Sequence, residues 1–263
     1  MPGKLDNRVL VVIGGTTGLG LSAARAFVTE GARVVVVGRN PANGNEAERT
    51  LGNNAVSMAA DASDPGTAPR AIAQAIERFG GFHGLYHVAG GSGRHAGDGP
   101  LHEITDEGWQ FTLNLNLTSL FYSNRAATRQ FLQQGGGGSV LNMGSVLGFA
   151  PSPKFFATHA YAATKAAAIG LTQSAAARYA QDDIRFNLLA PALVATPMSQ
   201  RAQADETILA FIKTKQPLDG GRIGRPADLD AAAVFFMSDD SRFVTGQVLA
   251  VDGGWSVSDG QIP

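Results

Sequence analysis

The sequence predicts an α/β protein built on a doubly wound, seven-stranded parallel sheet. Short runs of β-branched and aliphatic residues, such as Val9–Ile13 and residues 33–37, have the continuous apolar character of strands buried on both faces. They alternate along the chain with longer segments of helical period, and that alternation makes a parallel sheet with helices on either side. A third observation places a ligand. The first strand runs into a turn containing Gly14, Gly18 and Gly20, and a helical pattern follows over 19–30. Those glycines suit a sharp reversal, the close approach of an anionic ligand and close packing of helix on strand. The N–H groups of the helix's first turn then point at a phosphate. Glycines also end strands for structural reasons alone, so the rest of the chain must decide.

Taken in order, Gly31 caps the first helix and residues 33–37 form the second strand, which ends at Gly38-Arg39-Asn40. Pro41 opens a helix to Leu51, Ala55–Ala59 is a third strand, and a helix over 69–79 leads to a fourth strand at 85–88. A Gly/Ser-rich loop over 90–100 precedes one long helix over 106–134, which Gly135 to Gly138 break. Strand five is 139–143, an alanine-rich helix covers 159–180, and strand six is 184–189. The proline-interrupted stretch 191–217 reads as irregular with a short helix, before a helix over 227–238 and a last strand at 247–251. No linker, repeat or composition shift divides the chain, so one domain over 1–263 is expected.

Composition narrows the function. A net charge of −1 supplies no field for a nucleic-acid backbone and no polybasic membrane anchor. With no cysteine there is no disulfide framework, thiolate nucleophile or cysteine-bound metal. The N-terminal stretch carries no apolar signal segment and no run is long enough to span a bilayer, so a cytoplasmic location is expected. His83 and His87 are four apart, but on a strand that spacing forms no metal-binding face, and none is expected. Asp182-Asp183 and Asp239-Asp240 read as solvated turns.

Tyr161 and Lys165 lie four apart in one predicted helix and share a face. The simplest reading is a packed tyrosine beside a solvated lysine. Ser145, in the turn after strand five, changes that, because it stands where the glycine turn delivers a ligand. A phenol with an ordinary pKa of about 10 serves as a proton carrier at neutral pH only with help, which a neighbouring ammonium can give. Proton transfer at a substrate oxygen is the chemistry these three suit.

With the glycine turn, Asn116, Ser145, the Tyr161 and Lys165 pair, Asn187 with Pro191, and the closing Val251-Asp252-Gly253-Gly254, the chain resembles the short-chain dehydrogenase/reductase family. The motifs run in register over essentially the whole length. The resemblance implies a Rossmann-type fold and hydride transfer between a nicotinamide cofactor and a carbonyl or alcohol. It implies Tyr161 as acid and base, Ser145 as holder of the substrate oxygen, Lys165 on the nicotinamide ribose, and Asn116 holding a water that joins the lysine to solvent. Cofactor contacts are implied for Gly14, Thr17, Gly18, Leu19 and Gly20, for Ala89 and Gly90, and for Asp61 with Ala62 at the adenine. Pro191, Val194 and Thr196 are implied at the carboxamide end, with a substrate lid within 192–217 carrying Met198 and Phe211. Homo-tetramers are common among relatives, so a homo-tetramer is expected.

Three departures stand out: Ile13 for a threonine, Ala192 for a glycine, and His87-Val88 where relatives commonly have two asparagines. A hydrogen-bonding role in bracing the sheet is expected for His87. Gly38 leaves the ribose-binding acid of NAD enzymes missing and Arg39 follows, so NADP(H) is expected over NAD(H), although Thr17 lacks the basic residue of many NADP relatives. The stretch between Ser145 and Tyr161 contains Phe149, Phe155 and Phe156 with only Lys154 and His159 for charge, so a bulky apolar ketone or aldehyde is expected. The alternatives are a 3-oxoacyl-thioester reductase and, from another class, a non-catalytic nucleotide sensor or scaffold. A carbonyl screen with NADPH separates them.

Overall fold

The computed structural model describes residues 3–261. Seven strands, β1 (Val9–Ile13), β2 (Arg33–Gly38), β3 (Ala55–Ala59), β4 (Gly84–His87), β5 (Gly138–Met143), β6 (Ile184–Pro191) and β7 (Val248–Val251), pair in parallel in the order β3-β2-β1-β4-β5-β6-β7. This is the Rossmann-type sheet the sequence predicts. The apolar runs are explained by two-sided burial. Leu10 and Val12 of β1 pack against Ala23 and Phe27 on one face, whereas Val9, Val11 and Ile13 meet Ala71, Ile72 and Phe131 on the other.

The helices are α1 (Gly18–Thr29), α2 (Pro41–Leu51), α3 (Thr67–Phe79), α4 (Asp106–Leu113), α5 (Ser119–Gln134), α6 (His159–Tyr179), α7 (Gln200–Gln203), α8 (Glu206–Lys215) and α9 (Asp230–Met237). Residues of α1, α2 and α9 pack on the first face and those of α3, α5 and α6 on the second. Strand order reverses between β1 and β4. The crevice beyond their C-terminal ends is where such sheets bind ligands, and Gly14 and Ala89 meet there, both N–H groups lying at the tips of β1 and β4.

Two segments differ from the sequence expectation. The single helix over 106–134 is divided by one turn of π-helix at Asn114–Thr118, centred on Asn116. The stretch 191–217 is more ordered than its prolines imply. Asp205 caps α8 by accepting from the N–H groups of Thr207 and Ile208 at 3.0 and 3.1 Å, and Ile208 and Ile212 bury that helix against Trp255. β6 also runs two residues further, to Pro191, because Ala190 and Pro191 pair with Ala250 and Val251. Among the described residues no helix is long and apolar enough to cross a membrane.

Candidate active site

The glycine turn is shaped so that only glycine fits. Gly14 (φ 85°) and Gly18 (φ 54°) take left-handed backbone. A Cβ on Gly14 would stand 2.6 Å from the Ala89 nitrogen, and one on Gly20 would stand 2.0 Å from the Gly14 carbonyl. Gly20 therefore presses α1 onto the turn and does not face the crevice. Thr17 makes no side-chain cap and the first turn of α1 holds no acid, so its N–H groups remain open to an anion.

A cavity of about 660 Å³ starts at this turn. Thr17, Gly18 and Leu19 form its floor. Arg39, Asp61 and Ala62 border one end, and Ser145, Tyr161 and Lys165 the other. Between them stand Ala89, Gly90, Pro191, Val194 and Thr196. An elongated cavity with an anion cradle midway, a polar end and a reactive end fits a dinucleotide. Of the residues expected around the cofactor, Gly20 and Asn116 alone stand behind this wall.

Asn116 sits where the π-turn points it inward. Its amide nitrogen donates to the Gly91 and Thr112 carbonyls at 2.9 and 3.0 Å, and its oxygen accepts from the Gly91 N–H at 3.0 Å. It fastens the loop carrying Gly90 to the helix. A Cβ on Gly90 would lie 2.7 Å from that oxygen and 3.5 Å from the Lys165 ammonium, so the glycine separates the two by one thin backbone layer.

At the ribose end, Gly38 carries no acid, and a Cβ there would meet the Thr16 hydroxyl at 2.0 Å, so Thr16 occupies the space a side chain would need. Arg39 is exposed on the rim. Hydrogen bonds from Ser63, whose N–H and hydroxyl donate at 2.8 and 2.7 Å, hold the Asp61 carboxyl below the usual range, with a smaller push from Arg39.

Ser145 caps the short turn Val146–Gly148 by accepting from the Leu147 N–H at 3.2 Å, and its hydroxyl faces the Tyr161 phenol. Lys165 donates to the Met143 carbonyl at 2.9 Å, and its nitrogen stands 5.4 Å from the centre of the Tyr161 ring. Burial dominates both titrations. It pushes the Tyr161 phenol up to about 12, partly countered by Ser145, and pushes Lys165 down to about 8. The phenol is thus raised, not lowered as expected, and it is Ser145, not Lys165, that counters the rise.

One residue that sequence reasoning missed holds the helix of Tyr161 in place. Asp98, buried in the loop after β4, accepts from the N–H groups of Ala160 and Tyr161 at 3.0 and 2.9 Å. It caps α6 from outside the helix, where Thr158 makes no side-chain cap. An Asp sixty-odd residues upstream gives no local signal.

A second cavity, of about 530 Å³, shares Ser145 and Tyr161 with the first and is walled by Phe111, Leu147, Phe156, Met198 and Trp255. The phenylalanine expectation is corrected in part. Phe156 lines this cavity, whereas Phe155 packs against Phe211 with tilted rings 5.2 Å apart between centres and Phe149 is exposed outside it. The expected scarcity of charge is corrected as well. Arg94 and Arg201, from segments distant in sequence, line the cavity with His95.

His87 is buried, with Nδ1 at 3.0 Å from the Ser123 hydroxyl and Nε2 at 3.4 Å from that of Ser119. It braces β4 against α5. Burial, reinforced by the charge of Lys165, pushes it down to about 3, so the ring is neutral. Asn187 braces β6 in the same way, donating to the Val244 carbonyl at 3.0 Å and accepting from the Gln247 N–H at 3.0 Å.

A parallel sheet with a glycine cradle at its switch point and a serine, tyrosine and lysine beside it defines a class of dinucleotide-binding oxidoreductase. The chain belongs to the short-chain dehydrogenase/reductase family. Residues 14–256 match the family described as "Enoyl-(Acyl carrier protein) reductase". The chain is 34% identical over 260 residues to a 2,5-dichloro-2,5-cyclohexadiene-1,4-diol dehydrogenase of Sphingobium indicum, covering 98% of this chain and 99% of the relative. It is 33% identical to an NADP-dependent (R)-specific alcohol dehydrogenase of Lentilactobacillus kefiri, covering 97% and 99%. A solved short-chain type dehydrogenase/reductase from Mycobacterium ulcerans superposes with a TM-score of 0.88 at 31% identity, covering 97% of this chain and 91% of that one.

Proposed function

We propose that this chain interconverts a ketone or aldehyde with its alcohol using NADP(H), with Tyr161 as the acid and base. The observation that carries the reading is the meeting of Ser145, Tyr161 and Lys165 at the end of the cavity that begins at the glycine cradle. When bound, the nicotinamide supplies the hydride. In reduction, Ser145 donates a hydrogen bond to the carbonyl oxygen and holds it near the phenol. As the carbonyl carbon takes up the hydride, Tyr161 gives its proton to the oxygen, and a phenol held near 12 still transfers downhill to an alkoxide. Lys165 spends one N–H on Met143 and offers the others to the ribose hydroxyls. Its positive charge beside the ring then favours the phenolate that remains. Solvent returns the proton to the phenolate.

Support for NADP(H) comes from Arg39 on the cavity rim and from the lack of any side chain at Gly38. The apolar wall of Phe111, Phe156 and Trp255 supports a substrate with a bulky apolar body. The experiment is a screen of ketones, aldehydes and 3-oxoacyl thioesters with NADPH and with NADH, monitored by loss of reduced-cofactor absorbance. Cofactor binding without turnover of any carbonyl would favour the sensor reading.

A further inference from the structure

The Nη2 atoms of Arg94 and Arg201 both donate to a single neutral oxygen, the Phe155 carbonyl, each at 3.1 Å. One guanidinium comes from the loop after β4 and the other from α7, at the rim of the second cavity. Among the described residues neither arginine enters an ion pair. The nearest acid on that side, Asp98, is buried with both oxygens committed to the N-terminus of α6. Two like charges gathered on one carbonyl repel each other, and burial and Arg201 together make Arg94 easier to deprotonate than usual. Surface arginines serving only to hold a loop have no reason to converge in this way.

We infer that the substrate carries an anionic oxygen group, a carboxylate or a phosphate monoester, that binds between Arg94 and Arg201 while its carbonyl sits at Ser145 and Tyr161. The carbonyl end rests on the function proposed above; the anion end stands on the arginines alone. A guanidinium fork matches two oxygens of a carboxylate or phosphate, and two forks define the direction in which the substrate lies. The molecule so described has an apolar body between a carbonyl and an acid, which reconciles the aromatic wall with the cationic rim.

The test uses para-acetylbenzoate and homologues with methylenes between ring and carboxylate, each beside its methyl ester, and para-acetylphenyl phosphate beside para-hydroxyacetophenone. Binding to the enzyme saturated with oxidised cofactor is read by isothermal titration, and reduction is read separately as kcat/KM. The best acid is expected to bind and react at least about tenfold better than its ester, the usual scale of a charge-assisted bidentate contact. Arg94→Gln with Arg201→Gln should abolish that preference, so that acid and ester bind and react alike, while an unchanged dinucleotide Kd shows that the variant folds. Arg94→Lys alone, which keeps the charge and loses the fork, should fall between. A larger gain from the phosphate than from any carboxylate assigns the anion to a phosphate. Equal binding of all acids and esters, or an acid preference that survives the double substitution, overturns the inference. Tight acid binding without reduction of any ketone overturns the proposed catalysis and upholds the anion site, so the two failures are distinct.

Discussion

Burial sets the protonation of Tyr161 and His87, and each has a measurable consequence. If the Tyr161 hydroxyl is the proton donor, Tyr161→Phe should lower kcat by about two to four orders of magnitude, the usual worth of a general acid, while the dinucleotide Kd measured by fluorescence titration stays unchanged. His87 is neutral when folded, held at about 3 against 6.5 in an open chain. Between those values the unfolded chain binds a proton that the folded chain refuses, so His87 makes stability fall as pH falls. The slope is at most about 1.4 kcal/mol per pH unit, or about 2 kcal/mol between neutrality and about pH 5. His87→Asn keeps a hydrogen-bonding group without the titration, and its urea midpoint should fall less over that interval. At Arg39 the structure redirects an obvious design. Aspartate at position 38 would collide with Thr16, so the acid belongs one residue on. Arg39→Asp should move the ratio of kcat/KM for NADPH over NADH down by about tenfold or more, by repelling a 2′-phosphate and accepting from a ribose hydroxyl.

At the level of elements, α6 depends on a carboxylate that is not its own. Asp98→Asn leaves one acceptor for two N–H groups, and a cap of this kind is worth about 1 to 2 kcal/mol. The denaturation midpoint should drop accordingly, and kcat should fall with it because Tyr161 is one of the two capped residues, while dinucleotide affinity holds. Strands and most helices were legible because their side chains report their own burial: the apolar run of β1 and the Pro41 start of α2 need no tertiary partner to be read. The glycine cradle and the Ser145, Tyr161 and Lys165 set were legible for a similar reason, since each follows a strand end or a helical spacing. What escaped depends on distant partners. Asn-Leu-Asn-Leu-Thr reads as plain helix, and only the contacts of Asn116 with Gly91 show why an extra residue is accommodated there. Over 191–217 a short helix was expected without bounds, and the Asp205 cap followed by Glu206 was the available sign of where α8 starts. Arg94 and Arg201 converge through the fold alone.

For the whole molecule, the family resemblance implies a homo-tetramer, and Trp109, Phe121 and Leu132, large apolar side chains left exposed along α4 and α5, are the face such an assembly would cover. Light scattering should give about four chains per particle, and Phe121→Glu should reduce that number if this face is an interface. Because every strand runs the same way, the cradle, the proton-transfer residues and the arginine rim all gather at the C-terminal end of the sheet. Gly135 and Gly136 lie at the other end, exposed, at φ 70° and 79°, where a Cβ would meet nothing within 4 Å, and from Gly137 onward the chain closes against Asp183. A peptide handle inserted between Gly135 and Gly136 would therefore anchor the enzyme to a solid support by the end away from the cradle, with the cofactor and substrate cavities turned toward the flowing solution.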